Sequence, residues 1–280
     1  MARVDELMSK ERPEKPDKAN RYSQIIEQVF LSHYKDGDKQ VSFSRDELIR
    51  AAEKARIEPP KNLGDLIYFF RYRNKLPEVI RMRAPKGLEW IIRPAGKARY
   101  TFVAVSQPHI QPNPAVLDTK VPDATPGIIT MYALNDEQAL LAKLRYNRLI
   151  DIFTGVACYS LQNHLRTFIE DIGQIETDEI YVGIDKRGAH FVFPVQAKGF
   201  RDKISVVQIE QDIAMCSHKF PALVCRPIAA QFMQDNLIAL FDIQESNHEL
   251  RIASEKHYLL VDPSKLSSEE LRQYSLESHG

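Results

Sequence analysis

Residues 175–199, I-E-T-D-E-I-Y-V-G-I-D-K-R-G-A-H-F-V-F-P-V-Q-A-K-G, constrain the fold more than any other part of this chain. Two runs rich in β-branched and aromatic residues flank a short polar stretch containing glycine. The pattern predicts two antiparallel strands joined by a tight turn over residues 186–189. Side chains alternate across a strand, which puts Glu176 and Asp178 on one face of the first strand and Gln196 and Lys198 on one face of the second. Pairing about that turn brings Asp178 close to Gln196. A carboxylate, an amide and an ammonium then converge at one end of the hairpin, a set that can hold a divalent metal and stabilise a phosphate under attack. Both strands read as buried along most of their length. Charges at the ends of buried strands carry a desolvation cost, which favours chemistry or firm pairing over an ordinary surface cross-strand pair. Asp185 stands beside the turn, too far from Lys198 across the hairpin to compete with Asp178.

The flanking segments give the hairpin a context. An amphipathic helix starting at Asn135, with Gln138 at the capping-box position, precedes it, and Gly155 breaks that helix. A second helix is expected over residues 159–172, with Glu170 near its end. After the hairpin come a helix over residues 204–216, buried strands over 222–230 and 237–243, an apolar run over 257–262 and a capped helix over 267–274. The polar residues Asn147, Arg148, Gln162, Asn163 and Arg166 on the two preceding helices are candidates to face a nucleic acid, or simply to be solvated.

The spacing of Asp178, Gln196 and Lys198, set in strand, turn and strand, resembles the PD-(D/E)xK nuclease superfamily of restriction and repair endonucleases. The resemblance covers roughly residues 135–243. Ile-Glu-Thr stands before Asp178, where the family pattern has Pro, and Gln196 replaces the second acidic residue, as in the Mrr-type branch where Q-x-K is common. The resemblance implies an α/β fold with a restriction-endonuclease-like αββαβ core and a mixed sheet. It further implies Mg²⁺, for which Mn²⁺ can substitute, held by Asp178, the Gln196 side chain and the Ala197 carbonyl. Glu170 or Glu176 would add the second carboxylate. Lys198 would orient or deprotonate the attacking water, or stabilise the pentavalent phosphate. The Pro122-Asp123 dipeptide spells the family's first element literally, but it sits in the turn-like D-T-K-V-P-D-A-T-P-G, and Asp123 is read as a turn residue.

The amino-terminal third has a different pattern. Residues 1–20 are rich in Lys, Glu, Pro and Asp and are expected to be a disordered tail. Helical periodicity follows over residues 22–34, a short strand over 41–43, a helix over 45–57 capped by Ser44 with Glu47 three residues on, and a third helix over 63–74 capped by Asn62. Paired strands are expected over 88–93 and 99–104, and residues 21–105 as a whole resemble a winged helix-turn-helix. In that family the third helix enters the major groove and the hairpin touches the backbone. The resemblance makes Arg71, Arg73, Lys75, Arg81, Arg83, Lys97 and Arg99 candidate DNA contacts. Residues 106–134, rich in Pro, Asp and Thr, are expected to link this domain to the nuclease-like residues 135–280.

Charge supports that division. Residues 1–105 hold 22 Lys and Arg against 15 Asp and Glu, whereas the remainder holds 16 against 23, so a neutral chain conceals a basic half and an acidic half. No apolar run is long enough to span a bilayer, and the charged start lacks the apolar stretch of a secretory signal, which predicts a cytoplasmic protein with no membrane partner. Cys158, Cys216 and Cys225 lack metal-ligand spacing and are expected as reduced thiols. The expected activity is metal-dependent hydrolysis of double-stranded DNA by a homodimeric endonuclease of restriction or defence type. A modification-dependent Mrr-type enzyme and a catalytically inactive DNA-binding regulator are the alternatives.

Overall fold

The computed structural model describes residues 16–132, 137–170, 172–200, 202–234, 236–246 and 249–277. The chain divides into two compact units, Met1–Ser106 and Gln107–Gly280.

In the first unit, α1 (Pro16–His33) precedes β1 (Gln40–Ser44), α2 (Arg45–Lys54), α3 (Leu63–Tyr68), α4 (Glu78–Arg81), β2 (Glu89–Pro94) and β3 (Arg99–Val105). Helix α1 takes in residues 16–20, which were expected in the disordered tail; the rest of that tail lies outside the described residues. The caps act where the sequence places them. The Glu47 carboxylate accepts the Ser44 N–H at 2.7 Å, and the Asn62 side chain accepts the Gly64 N–H at 3.0 Å. Helix α3 continues into a π-helical turn, Phe69–Arg73. The strands form an antiparallel sheet in the order β1-β3-β2. Ile25, Ile26 and Phe30 of α1 pack on it, with Phe30 edge-on to Phe102 and Trp90 at 5.1 and 5.3 Å between ring centroids.

The second unit is built on an eight-stranded mixed sheet. Its strands are β5 (Asp118–Pro122), β6 (Ala157–Ile169), β7 (Gly173–Ile184), β8 (His190–Lys198), β10 (Val224–Cys225), β11 (Ile228–Phe232), β12 (Leu237–Ser246) and β13 (Glu249–Val261). The order is β5-β13-β12-β11-β8-β7-β6, with β10 paired to the start of β8. Strands β8 and β11 run parallel, as do β5 and β13, while the other neighbours on the main path are antiparallel. Segment 106–134, expected as a linker, therefore contributes an edge strand and helix α5 (Gly127–Tyr132), and β4 (His109–Ile110) within it pairs with β9 (Ile204–Ser205).

Helices α6 (Glu137–Tyr146) and α7 (Leu149–Thr154) cover one face, where Leu140, Leu141, Leu144 and Ile150 pack against Phe193, Val195 and Ala197. Helix α8 (Val206–Lys219) covers the other, with Met215 and Cys216 against Ile180 and Val192. The expected helix starting at Asn135 is thus two helices. Its first residue lies outside the described positions, and the break falls at Arg148, whose φ of 50° is left-handed. The neighbouring Asn147 side chain is buried and donates to Thr125 and Asp123 at 2.9 and 3.3 Å, so it ties down a loop. Gly155 ends α7 with φ +68°.

The largest correction concerns residues 159–172. They do not form a helix: residues up to Ile169 are the edge strand β6, antiparallel to β7 from Ala157↔Ile184 to Ile169↔Gly173. Pairing along nearly the whole of β7 outweighs a local amphipathic pattern that satisfies no neighbour. Around the hairpin the order is α6-α7-β6-β7-β8-β9-α8-β10-β11, which departs from the expected αββαβ by a second leading helix, the edge strand β6 and the two-residue strands β9 and β10. The β7–β8 hairpin itself forms as expected, with register Glu179↔Val195 to Ile184↔His190. Asp185 closes its turn by accepting the N–H groups of Arg187 and Ala189 at 2.8 and 2.9 Å.

Strands β6 and β7 approach closely at Gly183. A Cβ there would stand 2.7 Å from Val156 Cγ1 and 3.0 Å from the Ala157 carbonyl oxygen, and a backbone oxygen cannot swing aside. Gly183→Ala is therefore expected to lower stability by about 1–3 kcal/mol in urea denaturation, through overpacking; an unchanged midpoint would refute this account of the packing.

No helix among the described residues is long and apolar enough to cross a membrane. The three cysteines are free thiols, and burial pushes the Cys158 thiol up to about 11.

Candidate active site

Asp178 sits where β7 changes face. Ile175 and Thr177 are directed to α8, whereas Glu179 and Tyr181 are directed to α6 and its core. Opposite this point on β6 is His164, between the register pairs Asn163↔Glu179 and Leu165↔Thr177, and its φ of 46° shows that β6 is irregular here. The Asp178 Oδ2 accepts the Ala197 N–H at 2.8 Å. Burial pushes its carboxyl above the usual range, opposed by the Lys198 ammonium and the Ala197 N–H.

Lys198 ends β8. Its Nζ donates to Glu137 Oε1, at the start of α6, at 2.7 Å. Burial pulls the Lys198 ammonium down, but the carboxylates of Asp178, Glu137 and Asp202 more than reverse this and leave it above its ordinary value. Lys198 is therefore a cation at neutral pH, surrounded by acids. Its carbonyl and that of Gly199 accept from the Gln231 amide of β11, which anchors the strand end.

Gln196 is directed elsewhere. It is buried, and its Nε2 donates to Asp212 Oδ2 at 2.9 Å and to the Glu176 carbonyl at 3.1 Å, while its Oε1 accepts from Gln208 at 3.2 Å. Thr177 Oγ1 donates to the other Asp212 oxygen at 2.5 Å. Thr177, Gln196, Gln208 and Asp212 thus form a network under α8. Burial pushes the Asp212 carboxyl up to about 7, against the pull of the Thr177 and Gln196 donors and with a further push from Asp178. The amide that the sequence placed beside Asp178 and Lys198 is a support beneath them, with its oxygen turned to Gln208.

The other expected carboxylates also lie apart. Glu176 is on the exposed side of β7 and pairs with Arg166 at 2.9 Å. Glu170 follows the end of β6 in the β6–β7 turn, not on a helix, and is exposed. It lies beyond Gly173, which is five residues along β7 from Asp178, or about 17 Å at strand spacing. Sequence reasoning missed Glu137, which takes the place beside Lys198. Its only signal is an acid in the first turn of α6, which by itself suggests helix-dipole stabilisation. It also missed Glu179, fully buried, whose two oxygens accept from the Arg145 guanidinium at 3.0 and 3.1 Å while Ser160 Oγ donates to it at 2.5 Å. That paired charge fixes α6 to the central strands.

For a divalent cation the oxygen donors at this end of the sheet are the Asp178 and Glu137 carboxylates and the Ala197 carbonyl, which leaves the same edge of β8 as the N–H bound to Asp178. Such hard oxygens, one or two of them carboxylates, suit Mg²⁺ with waters completing its shell. Among the described residues, no group of three or more His, Cys, Asp or Glu side chains is placed to hold a metal ion.

In the amino-terminal unit the expected DNA contacts separate into two sets. Arg71 is tied inward: Nε donates to the Ile92 carbonyl at 3.0 Å, the guanidinium lies over the Tyr72 and Tyr100 rings, and the buried Nη2 has no hydrogen-bond partner among the described residues. Arg81 and Arg83 are exposed and donate to the Leu76 and Val79 carbonyls at 3.0 and 2.7 Å. Arg73 lies over the exposed Tyr68 ring, 5.1 Å from its centroid. Lys75, Lys97 and Arg99 are exposed, the last two at the β2–β3 turn.

Compared with known protein families, with curated proteins and with solved structures, the chain matches none.

Proposed function

We propose that this protein is a metal-dependent DNA endonuclease, with Asp178, Lys198 and Glu137 at its active site. The observation that carries the reading is the junction of Asp178, which takes the Ala197 N–H, with Lys198, which is paired to Glu137, at the half-buried end of β8. Mg²⁺, or Mn²⁺ in its place, held by Asp178 with Glu137 and the Ala197 carbonyl, would draw charge from the scissile phosphate. Lys198, kept protonated by its acids, offers a positive charge to the pentavalent phosphate and not a base to the water. Gln196 and Asp212 hold the strand under these groups. This restriction-endonuclease-like core is joined to an amino-terminal winged helix-turn-helix, a reading supported by the order of its helices and its β1-β3-β2 sheet. Arg73, Lys75, Lys97 and Arg99 are the cations it offers to duplex DNA. Cleavage of both strands with one site per chain favours a homodimer, and a restriction or defence role fits such an enzyme.

Incubation of the purified protein with supercoiled plasmid tests the activity. Nicked or linear product is expected with Mg²⁺ or Mn²⁺ and none with a chelator. Absence of cleavage with either metal, with DNA binding retained, would favour the inactive regulator, for which the inward-turned Gln196 is the specific argument. Binding has its own test: replacing Arg73 and Lys75 by alanine should weaken duplex binding and reduce the salt dependence by about one phosphate contact for each residue that touches the backbone. An unchanged salt slope would exclude this surface.

A further inference from the structure

The outer half of the β6–β7 ribbon has two chemically distinct faces. Leu165, Ile169 and Ile175 pack under α8, and Thr177 bonds Asp212 of that helix. The alternate positions, His164, Arg166 and Phe168 on β6 with Gln174 and Glu176 on β7, are exposed and lead directly to Asp178. Phe168 is paired in register with Gln174, and Arg166 with Glu176, whose charge it neutralises at 2.9 Å. Phe168 is 72% exposed, so its ring contributes almost nothing to the core.

We propose that this ribbon face is a platform for an unpaired DNA strand leading out of the Asp178–Lys198 site, with Phe168 stacking on a base. The proposal rests on the nuclease reading for its direction, because continuity with Asp178 selects the occupant. A strand pair that shows an aromatic ring, an amide and a guanidinium with only one nitrogen held by Glu176 offers what an unpaired strand needs: a stacking surface, a hydrogen-bonding group and further N–H groups for phosphate. A protein partner would instead call for a contiguous apolar patch, whereas Phe168 is set among polar neighbours. Gln174 is four residues from Asp178 along β7, about 13 Å at strand spacing. An unpaired strand is more extended than a duplex strand, which rises about 3.4 Å per nucleotide, so this distance spans fewer than about four steps. The ring therefore meets a base a few steps from the phosphate being cut.

The test is fluorescence anisotropy with a labelled single-stranded 20-mer and the matching duplex, at fixed salt, on the full chain. Phe168→Ala is expected to weaken single-strand binding about tenfold, with a smaller change for the duplex, while Phe168→Trp retains binding. Since the ring is exposed, the alanine variant should melt at the wild-type temperature, which separates lost binding from lost folding. Arg166→Ala should reduce the single-strand salt slope by about 0.7 if it meets one phosphate. Single-strand affinity unchanged in Phe168→Ala overturns the platform, whether or not the enzyme cuts. If wild type cuts with metal, Lys198→Ala does not, and Phe168→Ala binds as wild type, the platform falls and the nuclease stands. If no metal supports cutting but Phe168→Ala still loses single-strand affinity, the platform stands and the nuclease reading falls. Equal loss on RNA and DNA single strands would overturn the assignment to DNA.

Discussion

Lys198→Ala is expected, on the nuclease proposal, to reduce metal-dependent plasmid cleavage by about 10²–10³-fold, the usual cost of removing one group that stabilises transition-state charge. Two effects of the substitution can be separated. The first is the loss of a cation next to the phosphate, which lowers the rate at every pH. The second acts on Asp178, whose carboxyl burial already pushes above the usual range and which Lys198 holds down. Without the ammonium, Asp178 ionises at higher pH, so the acidic limb of the residual pH–rate profile should move upward. Glu137 also loses the partner it holds at 2.7 Å. Circular dichroism should show a folded protein, because Lys198 lies at a strand end and the apolar core above and below β8 is untouched. Cleavage at the wild-type rate by the alanine variant would remove Lys198 from the chemistry. A lower rate with an unmoved acidic limb would break the proposed coupling to Asp178.

Asp212→Asn is expected to make the protein more stable at pH 8, by on the order of 4 kcal/mol, and to lose that advantage in acid. The Asp212 carboxyl is fully buried and pushed up to about 7, from an ordinary value of 3.8, chiefly by burial. The folded protein thus holds this proton more tightly than the unfolded chain does. Its stabilising contribution is complete below about pH 4 and is lost as the pH rises through about 7. A difference of roughly 3 pKa units corresponds to the quoted energy. Asparagine has no charge to desolvate, and it can still accept from Gln196 while its amide donates to Thr177. Urea denaturation of both proteins at intervals from pH 5 to 8 should give curves that diverge upward in pH. The comparison with the variant isolates Asp212 from groups of the opposite sense, such as Glu270, whose carboxyl the Lys120 ammonium and Ser267 hold down to about 2. Parallel curves would mean that Asp212 carries no unpaid desolvation cost.

Much of the fold was legible locally. The Ser44–Glu47 and Asn62 caps, the glycine that ends α7 and the β7–β8 hairpin are set by contacts within a few residues, which sequence patterns record. Strand β6 was not legible, for an identifiable reason. Its outward side carries Tyr159 and Phe168 as well as polar groups, so the period-two alternation of Leu165, Thr167 and Ile169 is hidden beneath apolar residues on both faces. The segment 106–134 looked like a linker because β5 is short and contains polar residues. It becomes a strand only by pairing with β13.

The site divides in the same way. The sequence alone determined that Asp178 and Lys198 stand on neighbouring strands near one end of a hairpin, because alternation and turn length set the register. Tertiary structure decided what surrounds them. Gln196 turned under α8 because Asp212 and Gln208 are there to satisfy its amide, and Glu137 reached Lys198 across 61 residues of chain because α6 packs on β8. Strand pattern is a local steric property of the backbone. The partner of a buried charge is chosen by whichever element the core brings within hydrogen-bonding reach, and no local pattern encodes that.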